Sequence, residues 1–96
     1  VKHIILWKIK DGVDKAAVAQ GVKEGLEGLV GTVPRLLRAQ VVIGEMASCT
    51  ADVMLDSDFE SDEALKAYKT HPAHVAVADG LVRPYMEVRL CMDYEA

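Results

Sequence analysis

From Lys2 to Lys10 apolar residues recur at every second position, but on both sides of the chain. His3, Ile5, Trp7 and Ile9 fall on one face, while Ile4 and Leu6 share the other with Lys2, Lys8 and Lys10. A period of two predicts a strand, and apolar groups on both faces mean that each face needs a cover. Asp11-Gly12 marks a turn and Asp14 supplies a helix cap. Val18, Val22, Leu26, Leu29, Val30 and Val33 then recur at helical spacing, which predicts a first helix over roughly residues 14 to 31, stopped by Gly31 and Pro34. Gly21, Gly25 and Gly28 weaken that helix by about 1 kcal/mol each relative to alanine. Something must pack closely against them, and side chains of the sheet are expected to fill the space.

The segment Leu36 to Ile43 reads as a second strand, with Leu37, Ala39, Val41 and Ile43 on one face and Gly44 at its end. Ala51, Val53, Leu55, Ser57 and Phe59 line one face of a third strand whose other face carries Asp52, Met54, Asp56 and Asp58. Ser61 caps the next helix, with Asp62 and Glu63 in its first turn and Ala64, Leu65 and Tyr68 on its apolar side. Pro72 disfavours helical backbone at His71 yet suits a first helical turn, so the helix should break near Thr70 and restart from Pro72 to about Gly80. Met86, Val88, Leu90 and Met92 alternate along a final strand. The order strand, helix, strand, strand, helix, strand predicts one α+β domain over residues 1–96. It is a split βαβ, ferredoxin-like arrangement with a four-stranded antiparallel sheet and both helices on one face.

Composition narrows the function classes. Net charge is −4 with eleven Lys and Arg among 96 residues. Those cations never form a run, which argues against a nucleic-acid partner. No apolar stretch reaches the roughly eighteen residues of a membrane span, and the start Val1-Lys2-His3-Ile4 reads as a strand rather than a signal sequence. Cys49 and Cys91 lack CxxC spacing and read as free thiols, so the chain is expected to be cytoplasmic. Two helices cover only one face of the sheet. The other face is expected to be covered by a second copy, in a homodimer with sheets packed face to face, each subunit burying some 800 Å².

Candidate chemistry concentrates in the ten residues from Tyr68 to Val77, which hold a phenol and two imidazoles, His71 and His74, around the helix restart. In the first turn of the restarted helix the positive end of the dipole disfavours a proton on His74, leaving a neutral imidazole able to act as a base. The same residues also fit a structural role, His71 capping backbone amides and Tyr68 packing in a core. No convincing third ligand accompanies His71 and His74, so no metal is expected.

The opening Val1-Lys2-His3-Ile4-Ile5-Leu6-Trp7-Lys8, the phrase Phe59-Glu60-Ser61 through Tyr68, the block His71-Pro72-Ala73-His74 and the closing Asp93-Tyr94 resemble the stress-responsive A/B barrel family over almost the whole chain. That resemblance implies a dimeric α+β barrel. One plant branch, the olivetolic acid cyclase type, closes polyketide chains by aldol condensation between sheet and helices. By motif its tyrosine falls on Tyr68, its catalytic histidine on His74 and its strand-one histidine on His3. The resemblance implies that His74 removes a proton alpha to a carbonyl while Tyr68 donates a hydrogen bond to the developing oxyanion, with no cofactor. The implied pocket for a small hydrophobic ligand is bounded by His3, Ile5, Trp7, Leu55, His71 and Val77 beside the pair. Helix one offers Val22, Leu26 and glycines where the cyclase has aromatics, and Trp7 replaces a smaller residue, so the indole is expected to shorten or close the pocket. The other uses the resemblance implies are a non-catalytic stress-response or accessory dimer and a cofactor-free monooxygenase-like protein.

Overall fold

The computed structural model describes all residues 1–96. Strand β1 (Lys2–Ile9) runs through the middle of the sheet, paired antiparallel with β3 (Val53–Phe59) on one side and β4 (Met86–Tyr94) on the other, while β2 (Leu36–Ile43) pairs with β3. The order β2-β3-β1-β4 is that of the ferredoxin-like fold. Helices α1 (Lys15–Glu27), α2 (Asp62–Thr70) and α3 (Pro72–Val77) lie on one face. Ile5, Trp7, Ile9, Val41, Val53, Leu55 and Phe59 from the sheet meet Val22, Leu26, Leu65 and Tyr68 from the helices in one core. No helix is long and apolar enough to cross a membrane.

Helix α1 begins as expected, with the Asp14 carboxylate accepting from the Ala17 amide at 3.1 Å, but it ends four residues early. Leu29 and Val33 are buried all the same, because a turn closed by the Val33 amide on the Leu29 carbonyl and by Gly31 at φ 89° returns both side chains to the core. Apolar spacing in that turn imitates a further helical turn. The partner of the helical glycines also differs from expectation. A Cβ on Gly25 would stand 2.9 Å from Leu81 Cδ1 and 2.9 Å from Val77 Cγ1. The absent side chain makes room for the end of α3 and the chain that follows it rather than for the sheet.

That following chain does not continue as an α-helix to Gly80. α3 stops at Val77, a widened π-helical turn covers Ala78–Val82, and a tight turn covers Arg83–Tyr85. Ala78 and Val82 enter the core from the widened turn.

Two strands carry one extra residue each, and both change which side chains face the helices. In β2, Leu36 pairs with Phe59 and Arg38 with Asp58, leaving Leu37 as the extra residue. Leu36 is therefore buried at 6% exposure and Leu37 stands out at 60%, reversing the expected face at that end. In β4, Met86 pairs with Ile9 and Val88 with Lys8, so Glu87 is the extra residue. Directly paired residues share a face, so Met86 points inward with Ile9 while Val88, Leu90 and Met92 point outward with Lys8, Leu6 and Ile4. The alternation predicted for Met86, Val88, Leu90 and Met92 on one face is broken by this bulge.

The outer face of the sheet is divided. Towards β2 and β3 it carries an ion network, in which Arg38 reaches Asp56 and Asp58 at 2.7 Å and Lys2 reaches both at 3.1 Å. Towards β4 it carries Leu6, Val88, Leu90 and Met92, the last two 62% and 67% exposed.

Gly25→Leu should destabilise the chain by about 1–3 kcal/mol, because the added side chain overpacks against Val77 and Leu81. Gly80→Ala, where a Cβ meets nothing within 4 Å, should not. Urea midpoints of the two variants measure the difference, and equal midpoints would remove the close-approach account of Gly25.

Candidate functional site

The helix break that Pro72 imposes determines where the site forms. His71 takes extended backbone at φ −64° and ψ 132°, and its Nδ1 accepts from the Ala73 amide at 3.1 Å, capping α3. The chain turns there so that His74 lies against Tyr68, their ring centroids 4.1 Å apart and tilted by 37°. Phe59 meets the phenol edge-on at 4.9 Å between centroids, and His3 does so at 6.2 Å.

Tyr68 and His74 form part of the wall of a cavity of about 370 Å³ between the sheet and the segment from α2 to β4. His3, Ile5, Trp7 and Leu55 supply part of its sheet side, and Leu26, Ala78, Val82, Met86 and Val88 add to the apolar lining. Trp7 does not close the space; buried at 4% exposure, its indole is a wall. His71 and Val77 lie outside the cavity. The first is turned away by its capping bond, and the second packs against the bare backbone of Gly25.

Hydrogen bonding and burial set the states of His74 and Tyr68. The His74 Nδ1 sits 3.2 Å from the Lys69 carbonyl, which only accepts, so Nδ1 carries the proton and Nε2 keeps its lone pair. Burial pushes the His74 imidazole below its ordinary 6.5; the Lys69 carbonyl works against that push and the Arg83 charge adds to it. Burial also pushes the Tyr68 phenol up to about 12. Its hydroxyl makes no hydrogen bond within the chain, yet no side-chain oxygen or nitrogen is both fully buried and unpartnered, so the hydroxyl opens onto the cavity. Tyr68 is therefore a donor at any physiological pH.

His3 forms a second polar centre. Its ring is 2% exposed, its Nδ1–H donates to the Asp93 carboxylate, and its carbonyl accepts from Ser57 Oγ at 2.8 Å. Burial pulls the imidazole below its usual range, with Asp93 opposing. Burial pulls Asp93 upward, but its bonds to His3 and Cys91 outweigh that and hold the carboxyl low. The Cys91 thiol donates to Asp93 at 3.5 Å and is raised, first by burial, so it is not poised as a nucleophile. Ligand atoms of His3, Cys91 and Asp93 lie within 4.8 Å of one another, the dimensions of a metal site. The Lys69 ammonium, 3.8 Å from Asp93, and the nearby Arg89 charge oppose a dication there.

A model of the stress-responsive A/B barrel domain matches residues 1–96. The chain belongs to that family. It is 30% identical over 97 residues to a stress-response A/B barrel domain-containing protein of Arabidopsis thaliana, covering 100% of this chain and 36% of that protein. It thus spans about a third of the curated relative. Among solved structures, a dimeric protein of unknown function and ferredoxin-like fold from Bacteroides fragilis is 33% identical with a TM-score of 0.91, over 99% of this chain and 94% of that one. A second Arabidopsis thaliana protein, of known crystal structure, is 27% identical with a TM-score of 0.84, over 100% of this chain and 94% of that one.

Within this A/B barrel domain, sequence reasoning missed Asp93, Arg89, Lys69 and Arg83 as neighbours of the site. Asp93 and Arg89 were hidden by the bulge at Glu87, which turns their side of β4 inward. Lys69 was legible as the residue after Tyr68, but its carbonyl, not its side chain, orients His74.

The lowered imidazoles give a pH dependence with a fixed sign. An unfolded chain takes up these protons at about pH 6.5 and the native one only at lower pH, so the stability they contribute is complete above that value and lost as pH falls through the native values. Nitrogen-15 NMR titration should find His74 as the Nδ1–H tautomer, titrating below 6.5. An Nε2–H tautomer at neutral pH would overturn the orientation derived from Lys69.

Proposed function

We propose that this domain works as a homodimer that binds a small hydrophobic carbonyl compound in the cavity and performs acid/base chemistry on it of the aldol, cyclase-like type. His74 Nε2 removes a proton alpha to the carbonyl, and the Tyr68 hydroxyl donates to the oxygen as the enolate forms. The observation that carries this reading is the stacked pair: a base with its lone pair free, beside a donor with no partner, on one cavity wall. A neutral imidazole and a phenol held protonated are the states such a reaction needs at its start, and neither step calls for a cofactor. The His3–Asp93 pair favours a second assignment of the base, since a carboxylate on Nδ1 leaves His3 Nε2 unprotonated on the same wall.

The dimer is supported by the outward row Leu6, Val88, Leu90 and Met92 and by the dimeric Bacteroides fragilis relative. The two free thiols fit a cytoplasmic setting.

Exchange of alpha protons of a hydrophobic β-diketone in deuterium oxide tests the chemistry. His74→Gln should slow exchange by about 10²-fold or more, and Tyr68→Phe by a similar factor. Loss in His3→Gln with His74→Gln unaffected would move the base to His3, and exchange indifferent to all three variants in a folded protein would sink the catalytic reading. Separately, Leu90→Asp places a charge in the middle of the outward row. Light scattering should then find a monomer where the parent chain is a dimer.

A further inference from the structure

Three cations converge on the cavity from three different elements: Lys69 from α2, Arg83 from the tight turn and Arg89 from β4, against a single acid, Glu87. Lys69 is drawn towards Asp93 at 3.8 Å, Arg83 bonds Asp79, and Glu87 lies 3.9 Å from Lys8. Arg89 has no ion-pair partner, although it pairs with Trp7 across the strands and its charge is felt by both His3 and His74. The bulge at Glu87 is what aims it inward, towards a cavity whose lining also includes Ile5, Trp7, Leu55 and Val82. Like charges gathered around a cavity repel one another and depress the protonation of the imidazoles between them, and an anion in the same space relieves both effects.

We propose that the cavity takes a hydrophobic ketone that also bears a carboxylate, the carboxylate lying against Arg89 and the ketone between Tyr68 and His74. This names the substrate class of the reading given above and rests on it for the placement of the ketone. A planar guanidinium with two parallel N–H donors suits a carboxylate, and the apolar lining suits the chain that joins it to the ketone. Arg89 is a specificity residue here, selecting the acid over neutral analogues rather than moving protons.

The test follows quenching of Trp7, the only tryptophan, which forms part of the cavity wall. The probes are 4-oxo-4-phenylbutanoate and its methyl ester, added to the full dimer and to Arg89→Gln. The acid should bind about tenfold or more tightly than the ester in the parent chain, and Arg89→Gln should remove most of that preference by weakening acid binding far more than ester binding. Equal binding of acid and ester, a preference that survives Arg89→Gln, or binding of neither probe overturns the proposal. Inorganic phosphate that displaces the acid at far lower concentration than acetate does would overturn the choice of carboxylate and point to a phosphate head group. These outcomes stand apart from the exchange assay: selective acid binding with no proton exchange keeps the anion site and discards the catalysis, and exchange without acid preference does the reverse.

Discussion

A single extra residue, Glu87, decides what both faces of β4 do. Side chains along a strand alternate, so one inserted residue transfers every later side chain to the opposite face. With the bulge, Val88, Leu90 and Met92 point away from the helices and Arg89, Cys91 and Asp93 point towards them. Without it the outward row would be polar, and three apolar side chains would fill the space beside His3. The unpartnered apolar face and the polar equipment of the cavity are therefore two consequences of one backbone irregularity, placed next to the site as bulges commonly are.

The electrostatics of the site follow from how deeply its members are buried. For Tyr68 burial is the sole cause of the shift, and for His3 and His74 it is the largest. Desolvation disfavours the charged form of each group, so it holds the phenol of Tyr68 protonated and the imidazole of His74 neutral with no charged partner bonded to either, and it outweighs Asp93 at His3. Hydrogen bonds then settle orientation rather than charge: the Lys69 carbonyl fixes the tautomer of His74, and Asp93 that of His3. Pro72 makes this possible locally. By breaking the helix at His71 it brings His74 onto the ring of Tyr68, six residues away, a stacking that a continuous helix would not produce.

Much of the fold was legible because its signals are local. Strand periods, the Asp14 and Ser61 caps and the His71-Pro72 break each depend on a few adjacent residues, and the split βαβ order follows from them. What was not legible depends on pairing between distant segments. Leu37 and Val88 sit in sequence patterns that read as regular alternation, and only the register against Phe59 and Lys8 reveals that one residue is extra. The end of α1 was overread because Leu29 and Val33 reach the core from a turn at helical spacing. In the site, Tyr68 and His74 were readable from their placement about the break. Arg89 and Asp93 were not, since nothing near them in sequence says which way β4 faces, and the π-helical turn that brings Ala78 and Val82 into the lining leaves no periodic trace.

Strand β4 also ties the outer apolar row to the cavity. It is an edge strand, exposed along almost its whole length, held by β1 alone in the sheet. Such a strand frays more readily than one paired on both sides. A partner that covers Leu90 and Met92 removes that freedom from the same backbone that presents Arg89 and Asp93 on its other side. Covering the outer face would thereby also hold the inner one, and the site would be most ordered with the sheet covered. A monomeric form of this chain would keep Tyr68 and His74 together, because they are joined through the helix break, and would loosen Asp93 from His3, because they are joined only through β4.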